Sequence, residues 1–353
     1  MNVDCVAIRA PNWVGDVVMA TPVLVAALAD PRFRRVRVLV RKPLVKVLEG
    51  VVPPESLVPL ESSAHELQVL RSERPDAILL LSNSFGAAWR AARAGVPVRA
   101  GSALSSRRVL LTHAVVPPTR DGRRAPIPTA HLLRDVAGLL AIGVPSLHPV
   151  LAASAEERAA VRATLAGLGL APDARFVVCS PGAAFGAAKL WPVERFAEAL
   201  DQLHDRRGLA AVISGGPGEE PLMDAVAQRT RSRALSLAGT PRDLATLRAL
   251  VAEASLMLVG DSGPRWYAAA FDVPCVCVMG PNFPELTATS LERAAIVRVE
   301  GLECSPCIQR RCPLGHHRCM TELGVERVVA AAERLLDEAL AADARAAATQ
   351  ALA

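Results

Sequence analysis

Lysine is scarce in this sequence. Of its 40 basic residues only Lys42, Lys46 and Lys189 are lysines, and all the others are arginines. The composition of the chain thus favours arginine over lysine at nearly every other basic position. Lys189 stands in a loop otherwise built of glycine, alanine and proline, so we expect this position to require the compact point charge of an ammonium group.

No segment has the pattern of a secretory signal or a membrane-spanning helix. The opening residues MNVDCVAIRAP lack a basic stretch followed by an apolar one, and no uncharged apolar run of about 18 residues occurs. We therefore expect the chain to remain in a reducing cytoplasm. Four cysteines in apolar runs are expected to be buried free thiols, namely Cys5, Cys179, Cys275 and Cys277.

The length of 353 residues exceeds what one hydrophobic core usually serves and suits two domains of about 150 residues each. Hydrophobic residues make up 51%, aromatic residues 3% and charged residues 21% of the chain, a profile typical of a globular α/β protein. The net charge of +5 is modest and indicates an anionic partner only weakly. Two domains would leave a cleft between them.

Short apolar runs alternate with amphipathic stretches in both halves of the chain, which predicts βαβ units and parallel sheets. The predicted strands are residues 5–8, 36–40, 77–81 and 97–100, then 176–180, 210–214, 233–237, 256–260 and 274–278. Proline and serine interrupt the pattern near residues 143–154. We predict two doubly wound domains, residues 1–150 and 151–323, and a final segment 324–353. Its helix, to about residue 342, would pack back across the domain junction before a frayed end.

The loop after the first strand contains a candidate catalytic carboxylate. In open parallel sheets ligands bind beyond the carboxyl ends of the strands, and RAPNWVGDVVMATPVL (9–24) places Asp16 near a helix start there. A carboxylate at this position can accept a proton from a substrate hydroxyl. It can also serve only to stabilise the helix dipole, by about 0.3–1 kcal/mol. The loop has neither the dinucleotide fingerprint G-x-G-x-x-G nor the P-loop pattern.

Two loops of the second half form a candidate anion site. SPGAAFGAAKLWP (180–192) combines Lys189 with Gly182 and Gly186, which allow the backbone to approach a ligand closely. LVGDSGPRWYAAAF (258–271) leaves a strand through a D-S-G turn and enters a helix, whose free N–H groups favour phosphate. Together the loops would hold a diphosphate without a divalent metal. The alternatives are an ordinary surface lysine and a helix cap without a ligand.

Arginine is concentrated between residues 90 and 124. Against one acidic residue, Asp121, this segment contains Arg90, Arg93, Arg99, Arg107, Arg108, Arg120, Arg123 and Arg124. Such an excess can bind carboxylates or phosphates, contact an anionic membrane surface, or form a solvated face. Few aromatic residues lie among the arginines, which argues against single-stranded nucleic acid as a partner.

A segment rich in cysteine and histidine, CSPCIQRRCPLGHHRCM (304–320), lies near the C-terminus. Its candidate ligands are Cys304, Cys307, Cys312, His316, His317 and Cys319. The C-x-x-C spacing of the first two suits a tetrahedral structural zinc site, while a reduced thiol cluster and a labile disulfide stay open. No catalytic metal is expected, because the segment lies outside the predicted loops at the strand ends.

These loops together resemble those of the ADP-heptose:lipopolysaccharide heptosyltransferases of glycosyltransferase family 9. The resemblance covers nearly the whole chain in the expected order, through NWVGDVVMATP, SPGAAFGAAKLWP, GDSG, GPNFPELT and CPLGHH. It implies a GT-B fold, in which two Rossmann-like domains face a cleft. The N-terminal domain would bind the acceptor and the C-terminal domain the nucleotide-sugar donor.

The resemblance implies an inverting transfer of L-glycero-D-manno-heptose from ADP-heptose to the inner core of lipopolysaccharide. Asp16 would deprotonate the acceptor hydroxyl, and Lys189 would neutralise the departing diphosphate. Further donor-binding residues would be Gly182, Gly186, Asp261, Ser262, Gly263 and Trp266. The expected acceptor-binding residues are Asn12, Trp13, Arg107 and Arg108.

The expected partners are ADP-heptose and a lipid A acceptor that carries Kdo or heptose, with no cofactor and no nucleic acid. The acceptor implies peripheral contact with the cytoplasmic face of the inner membrane, where the arginines would bind Kdo carboxylates or phosphates. One position departs from the family, because Trp266 replaces the usual histidine three residues after the donor-loop glycine. A transferase that uses another nucleotide sugar and a non-catalytic GT-B scaffold with a zinc cluster therefore stay as alternatives.

Overall fold

The computed structural model describes residues 3–120 and 123–351, with the backbone alone described at residues 120, 123–124 and 346–351. The chain divides into two compact units. The first unit comprises Met1–Ala152 with Glu285–Thr289, and the second unit comprises Ala153–Pro284 with Ser290–Ala353. The assignment of acceptor and donor binding to separate domains stays a prediction.

The first unit is built on a parallel six-stranded sheet. Its strands are β1 (Cys5–Arg9), β2 (Arg35–Arg41), β3 (Leu57–Leu60), β4 (Ala77–Leu80), β5 (Val98–Ser102) and β6 (His113–Val115), in the order β3-β2-β1-β4-β5-β6. A separate antiparallel pair is formed by β7 (Thr119–Arg120) and β8 (Arg123–Arg124). The helices are α1 (Val14–Ala29), α2 (Val45–Leu48), α3 (Ser63–Glu73), α4 (Phe85–Arg93) and α5 (Thr129–Gly138).

The second unit repeats this arrangement. Its strands are β9 (Phe176–Ser180), β10 (Ala210–Ile213), β11 (Ala234–Ser236), β12 (Leu256–Gly260), β13 (Cys275–Val278) and β14 (Ala294–Val297), in the order β11-β10-β9-β12-β13-β14. The helices are α6 (Ala155–Gly167), α7 (Val193–Arg207), α8 (Glu220–Arg229), α9 (Leu244–Ala252), α10 (Arg265–Ala270), α11 (Arg318–Thr321) and α12 (Val325–Ala351). The predicted α/β class with two doubly wound parallel sheets is confirmed.

The central strands are continuous apolar runs because helices cover both faces of a parallel sheet. Every residue of β1, β4, β9, β12 and β13 is buried. The sequence did not predict three edge strands, β3, β6 and β14. They are short, β3 contains Pro59, and an edge position needs fewer apolar residues and tolerates proline.

Each sheet reverses its strand order at one point. The first strand of each unit pairs on one side with the second strand and on the other with a strand much later in the chain, β1 with β4 and β9 with β12. Connections leave in opposite directions there, so a crevice opens at the carboxyl ends of the two strands. This topology decides where polar loop residues gather.

The long C-terminal helix, α12, packs on α7, β13 and β14 of its own unit. It extends to Ala351, beyond the predicted end near residue 342 and through most of the segment expected to be frayed. Alanine-rich sequence such as residues 341–351 has a high intrinsic helix propensity, which accounts for the extension. Residues 352–353 lie outside the described part, and packing across the domain junction stays a prediction.

The described residues also include the four cysteines predicted to be buried and all helices that were compared with the length of a membrane span. Cys5, Cys179, Cys275 and Cys277 are buried free thiols, as predicted. Burial alone raises the pKa of the Cys179 thiol well above its ordinary range. Of the helices within residues 3–120 and 123–351, none combines the length and apolar character required to cross a bilayer.

Candidate active site

A cavity of about 340 Å³ lies in the first unit where β1 and β4 end side by side. It is bounded by the loop after β1, the loop after β4 and one face of α5. The lining residues are Pro11, Asn12, Trp13, Asp16, Leu80, Leu81, Ser82, Asn83, Ser84, Thr129, Leu132, Leu133 and Val136. Three of the residues expected to act in the first domain, Asn12, Trp13 and Asp16, therefore share one cavity.

The Asp16 carboxylate lies in this cavity without a partner among the residues that the structure describes. It lies in the first turn of α1, and no described group donates a hydrogen bond to it or forms an ion pair with it. Burial raises the pKa of the Asp16 carboxyl to about 6 from its ordinary value of 3.8. The helix dipole would favour the ionised form by about 0.3–1 kcal/mol, so desolvation outweighs it. A desolvated carboxylate that titrates near neutral pH suits a general base.

A buried ion network supports the loop beside Asp16. Arg9, at the end of β1, donates from Nη2 to Oδ1 of Asn12 at 2.8 Å, and its Nε lies 3.3 Å from Oε1 of Glu66. Glu66 also binds Arg90 at 2.8 Å, and Asn12 donates to Oγ of Ser82 at 3.2 Å. Sequence reasoning missed Arg9 and Glu66 because their pairing joins distant segments.

Arg107 does not lie where a ligand can reach it. Its side chain is fully buried, and it donates to the carbonyl groups of Ser82 and Ser102 and to Oγ of Ser102. Burial lowers the pKa of Arg107 to about 10, and no carboxylate among the described residues pairs with it. The expected direct contact with the acceptor is therefore replaced by support of the loops after β4 and β5. Arg108 is exposed and does not line the cavity.

The described arginines of the arginine-rich segment do not form one basic face. Arg90 is paired with Glu66, and Arg99 donates to the carbonyl groups of Leu110 and Val96. Arg93 is exposed beside the Trp89 ring. Asp121 and the side chains of Arg120, Arg123 and Arg124 lie outside the described residues.

The second cluster of charged residues lies at the switch point of the second unit. Lys189 Nζ lies 2.6 Å from Oδ2 of Asp261, and only 12% of the Lys189 side chain is exposed. The same carboxylate oxygen accepts a hydrogen bond from Nδ2 of Asn282 at 2.9 Å. The Phe185 ring lies 4.8 Å from the ammonium group. The structure thus brings together Lys189 and Asp261 as expected and adds Asn282, which lies in the motif GPNFPELT.

Two hydroxyl groups near these strand ends have no hydrogen-bond partner in the described part of the chain. Oγ of Ser180, the last residue of β9, and Oγ of Ser262, just after β12, are buried, and no described atom bonds to either. A buried unpaired hydroxyl costs about 1–3 kcal/mol, so such atoms favour a site that a polar ligand completes. The role of Ser262 in binding a donor stays a prediction.

The two glycines of the lysine loop lie against other segments of the second unit. A Cβ added at Gly182 would collide with the Glu219 carboxylate, and one added at Gly186 would lie 2.5 Å from the carbonyl oxygen of Arg310. The sequence predicted close backbone approach at both positions. The structure shows that other segments of the second unit make that approach.

The helix after the D-S-G turn is short. It is α10, which has six residues and begins after Pro264, a residue without an N–H group. A helix of this length has a weak dipole at its N-terminus. Trp266 is only 4% exposed, and the Arg265 guanidinium lies 4.2 Å from the centre of its ring. The indole is therefore part of the packing of the second unit, and it offers little surface for stacking on a donor base or sugar.

The cysteine- and histidine-rich segment forms a compact cluster. A cavity of about 20 Å³ is lined by Cys304, Cys307, Cys312, His316, His317 and Cys319, among others. All four thiols are free, so no disulfide is formed. Among the side chains that the structure describes, no three His, Cys, Asp or Glu residues are arranged to hold a metal ion. Their present arrangement gives the zinc alternative no support.

Two doubly wound sheets of the same strand order define the GT-B class of fold. A model of the family described as glycosyltransferase family 9 (heptosyltransferase) matches residues 65–318, which include Lys189 and the D-S-G turn and begin after Asp16. The chain belongs to glycosyltransferase family 9. The resemblance found in the sequence is thereby confirmed.

Individual relatives agree with this membership. Lipooligosaccharide heptosyltransferase 2 of Campylobacter jejuni is 32% identical over 163 residues, which is 44% of this chain and 50% of the relative, so the match spans about half of that protein. Lipopolysaccharide heptosyltransferase 2 of Salmonella typhimurium is 26% identical over 355 residues, with 94% and 99% of the two chains covered. The solved structure of E. coli ADP-heptose lipopolysaccharide heptosyltransferase II shares the fold, with a TM-score of 0.72, 23% identity and coverage of 94% and 98%.

Proposed function

We propose that this protein is an inverting heptosyltransferase that moves L-glycero-D-manno-heptose from ADP-heptose to the inner core of lipopolysaccharide. The observation that carries the proposal is the Asp16 carboxylate, which lies in a cavity without a partner among the described residues and has a pKa of about 6. Membership of family 9 supports the reaction class, and similarity to an ADP-heptose-named transferase supports the donor.

Asp16 acts in this proposal as the general base. It accepts the proton of an acceptor hydroxyl, whose oxygen forms a bond to the anomeric carbon as the bond to the diphosphate oxygen breaks. Attack from the face opposite the leaving group inverts the configuration. A positioned base of this kind typically contributes about 10²–10⁴ in rate.

Lys189 and the loop 261–263 hold the donor diphosphate in this proposal. The ammonium group is already fixed by Asp261 at 2.6 Å, so a bound diphosphate would share or displace the carboxylate. Ser262 Oγ, buried and unpaired among the described atoms, would donate to a phosphate oxygen. Stabilising the negative charge that develops on the leaving group is worth about 10²–10³ in rate for each group.

The acceptor part of the proposal is a lipid A molecule bearing Kdo or heptose, met by peripheral contact at the cytoplasmic face of the inner membrane. Asn12 and Trp13 line the cavity of Asp16, and the Trp13 side chain is 55% exposed. Among the described arginines of residues 90–124, Arg93 and Arg108 are exposed and available to anionic groups.

Calorimetric binding of ADP-heptose, GDP-mannose and UDP-glucose to the purified protein, without added metal, tests the donor. We expect selective binding of ADP-heptose and a loss of roughly tenfold or more in affinity in Lys189→Ala, because a charge-assisted contact is worth about 1.5–3 kcal/mol. Lys46→Ala removes an exposed lysine of the first unit and serves as the matched control. Selective binding of another sugar would indicate a transferase with a different donor, and absence of binding would favour the non-catalytic scaffold.

A further inference from the structure

The loop that carries Lys189 is held from outside by the cysteine- and histidine-rich segment. Residues Ala187–Lys189 form a single 3-10 turn, which is too short to be rigid by itself. The backbone N–H of Ala188 donates to the carbonyl oxygen of Arg310 at 3.0 Å. The carbonyl oxygen of Ala188 lies 2.8 Å from Nε2 of His317. Both backbone polar groups of the residue before Lys189 are therefore bonded to this one segment.

The His317 side chain must be the donor in its contact, because a carbonyl oxygen only accepts. Nε2 of His317 therefore carries a proton. His317 also has a left-handed backbone conformation, with φ of 52°, which is uncommon for a residue other than glycine. With this backbone conformation the imidazole of His317 reaches the carbonyl group of Ala188.

Other contacts bring the two segments close together. The Arg310 guanidinium lies 5.2 Å from the centre of the Phe185 ring, and the same ring contacts the Lys189 ammonium at 4.8 Å. Gly186 has no side chain, and a Cβ there would collide with the Arg310 carbonyl at 2.5 Å. The close contact between the two segments therefore requires glycine at position 186 and the imidazole of His317 at the Ala188 carbonyl group.

We propose that His317 is a positioning residue for Lys189. Its imidazole fixes the Ala188 carbonyl group by a hydrogen bond. This contact positions the next residue, Lys189, and keeps its ammonium group paired with Asp261. The structural part of this proposal concerns the contact between Ala188 and His317 alone. Its consequence for catalysis rests on the proposed role of Lys189 in holding the donor diphosphate.

The scarcity of lysine provides a test that needs no substrate. The chain has three lysines, and 68% and 52% of the Lys42 and Lys46 side chains are exposed against 12% for Lys189. Brief labelling of the full chain with an amine-reactive ester, read by mass spectrometry, reports the exposure of each lysine. Lys42 and Lys46 serve as internal controls in every sample.

We expect His317→Ala to raise the labelling rate of Lys189 roughly two- to tenfold, the equilibrium effect of losing one ordinary hydrogen bond. Lys42 and Lys46 should be unchanged. His317→Gln, whose amide can donate to the same carbonyl, should restore much of the protection, whereas His317→Asn is too short and should not. Gln309→Ala, at an exposed position of the same segment, is the matched control. Should His317→Ala fail to fold, the comparison of Asn with Gln gives the same information.

Unchanged labelling of Lys189 in folded His317→Ala or His317→Asn would overturn the proposal. So would an equal rise in all three lysines, which would indicate general loosening. The labelling result does not depend on whether Lys189 binds diphosphate, so it separates this inference from the proposed function.

A double-mutant cycle with ADP as the ligand tests the consequence for binding. We expect His317→Ala to weaken ADP binding roughly two- to tenfold in the wild-type background. In the Lys189→Ala background it should change the affinity by less than about twofold, because residues that act through one contact are not additive. Equal losses in both backgrounds would show that His317 acts independently of Lys189. Full ADP affinity in Lys189→Ala would instead count against the proposed function.

Discussion

The two units present opposite electrostatic arrangements at equivalent places in the same topology. In the first unit no described residue pairs with the Asp16 carboxylate at the switch point, and burial raises its pKa to about 6. In the second unit the Asp261 carboxylate lies at the switch point paired with Lys189 and hydrogen-bonded by Asn282. A carboxylate accepts a proton more readily when its ionised form is destabilised. An ammonium group that binds an anionic ligand is stabilised, before the ligand binds, by an ion-pair partner.

The largest expected effect is the loss of transfer in Asp16→Asn. Asparagine keeps the size of the side chain but cannot accept the proton, so we expect turnover to fall by about 10²–10⁴ while ADP-heptose affinity is retained. Initial rates with ADP-heptose and a Kdo-bearing lipid A acceptor provide the measurement. Asp135→Asn, on the exposed part of α5, is the control. Near-normal turnover in Asp16→Asn would remove Asp16 from the mechanism.

The pH dependence of the rate should reflect the unpaired carboxylate. Because the pKa of Asp16 is raised to about 6, we expect kcat/KM to fall about tenfold for each pH unit below that value. The base is then protonated and cannot accept a proton. The small residual rate of Asp16→Asn should lack this acid limb. An acid limb centred near pH 4, or one that persists in the variant, would contradict the assignment.

The smallest expected effect is on the free energy of unfolding, and its sign should differ between the two units. The rise of the Asp16 pKa from 3.8 to about 6 corresponds to an upper bound of about 3 kcal/mol. The folded state holds the proton more tightly, so ionisation of Asp16 destabilises the fold above about pH 6, and the penalty disappears below about pH 4. Asp16→Asn should therefore raise the free energy of unfolding by about 1–3 kcal/mol at pH 7–8.

The same change in the second unit should have the opposite sign. Asp261→Asn leaves the largely buried Lys189 ammonium without its ion-pair partner, and we expect a loss of about 1–3 kcal/mol. Urea unfolding at pH 7.5 and pH 5.5 measures both variants, and the gain in Asp16→Asn should shrink at the lower pH. Asp135→Asn should stay within about 0.5 kcal/mol of the wild type. Changes of equal sign in Asp16→Asn and Asp261→Asn would contradict the contrast between the two units.

Much of the fold could be predicted because its signal is local. The central strands, such as β9 (Phe176–Ser180) and β12 (Leu256–Gly260), were predicted with the bounds that the structure has, since a strand buried on both faces reads as an uninterrupted apolar run. Edge strands are shorter and partly exposed, so their composition resembles that of loops. The end of α12 was placed too early because the alanine-rich segment lacks an apolar periodicity to mark it.

The candidate site was predictable at the level of loops but not of side chains. Asp16 and Lys189 were identified because each is a charged residue in the sequence that follows a predicted strand. Arg107 was expected to contact a ligand, yet it is fully buried beneath the loops it supports. Trp266 was expected at the donor, yet it is packed inside the second unit. Burial depends on what other segments cover a residue, and local sequence does not contain that information.

The sequence by itself determined the alternation of strands and helices and the chemistry carried by each loop, because these follow from periodicity and residue type within a few positions. The tertiary structure decided the partners. Lys189 meets Asp261, 72 residues away, because β9 and β12 are neighbours in the sheet, and Asp16 acquires its raised pKa from the surrounding protein. Charge pairing and desolvation depend on distance in space, and the strand order brings distant parts of the chain together.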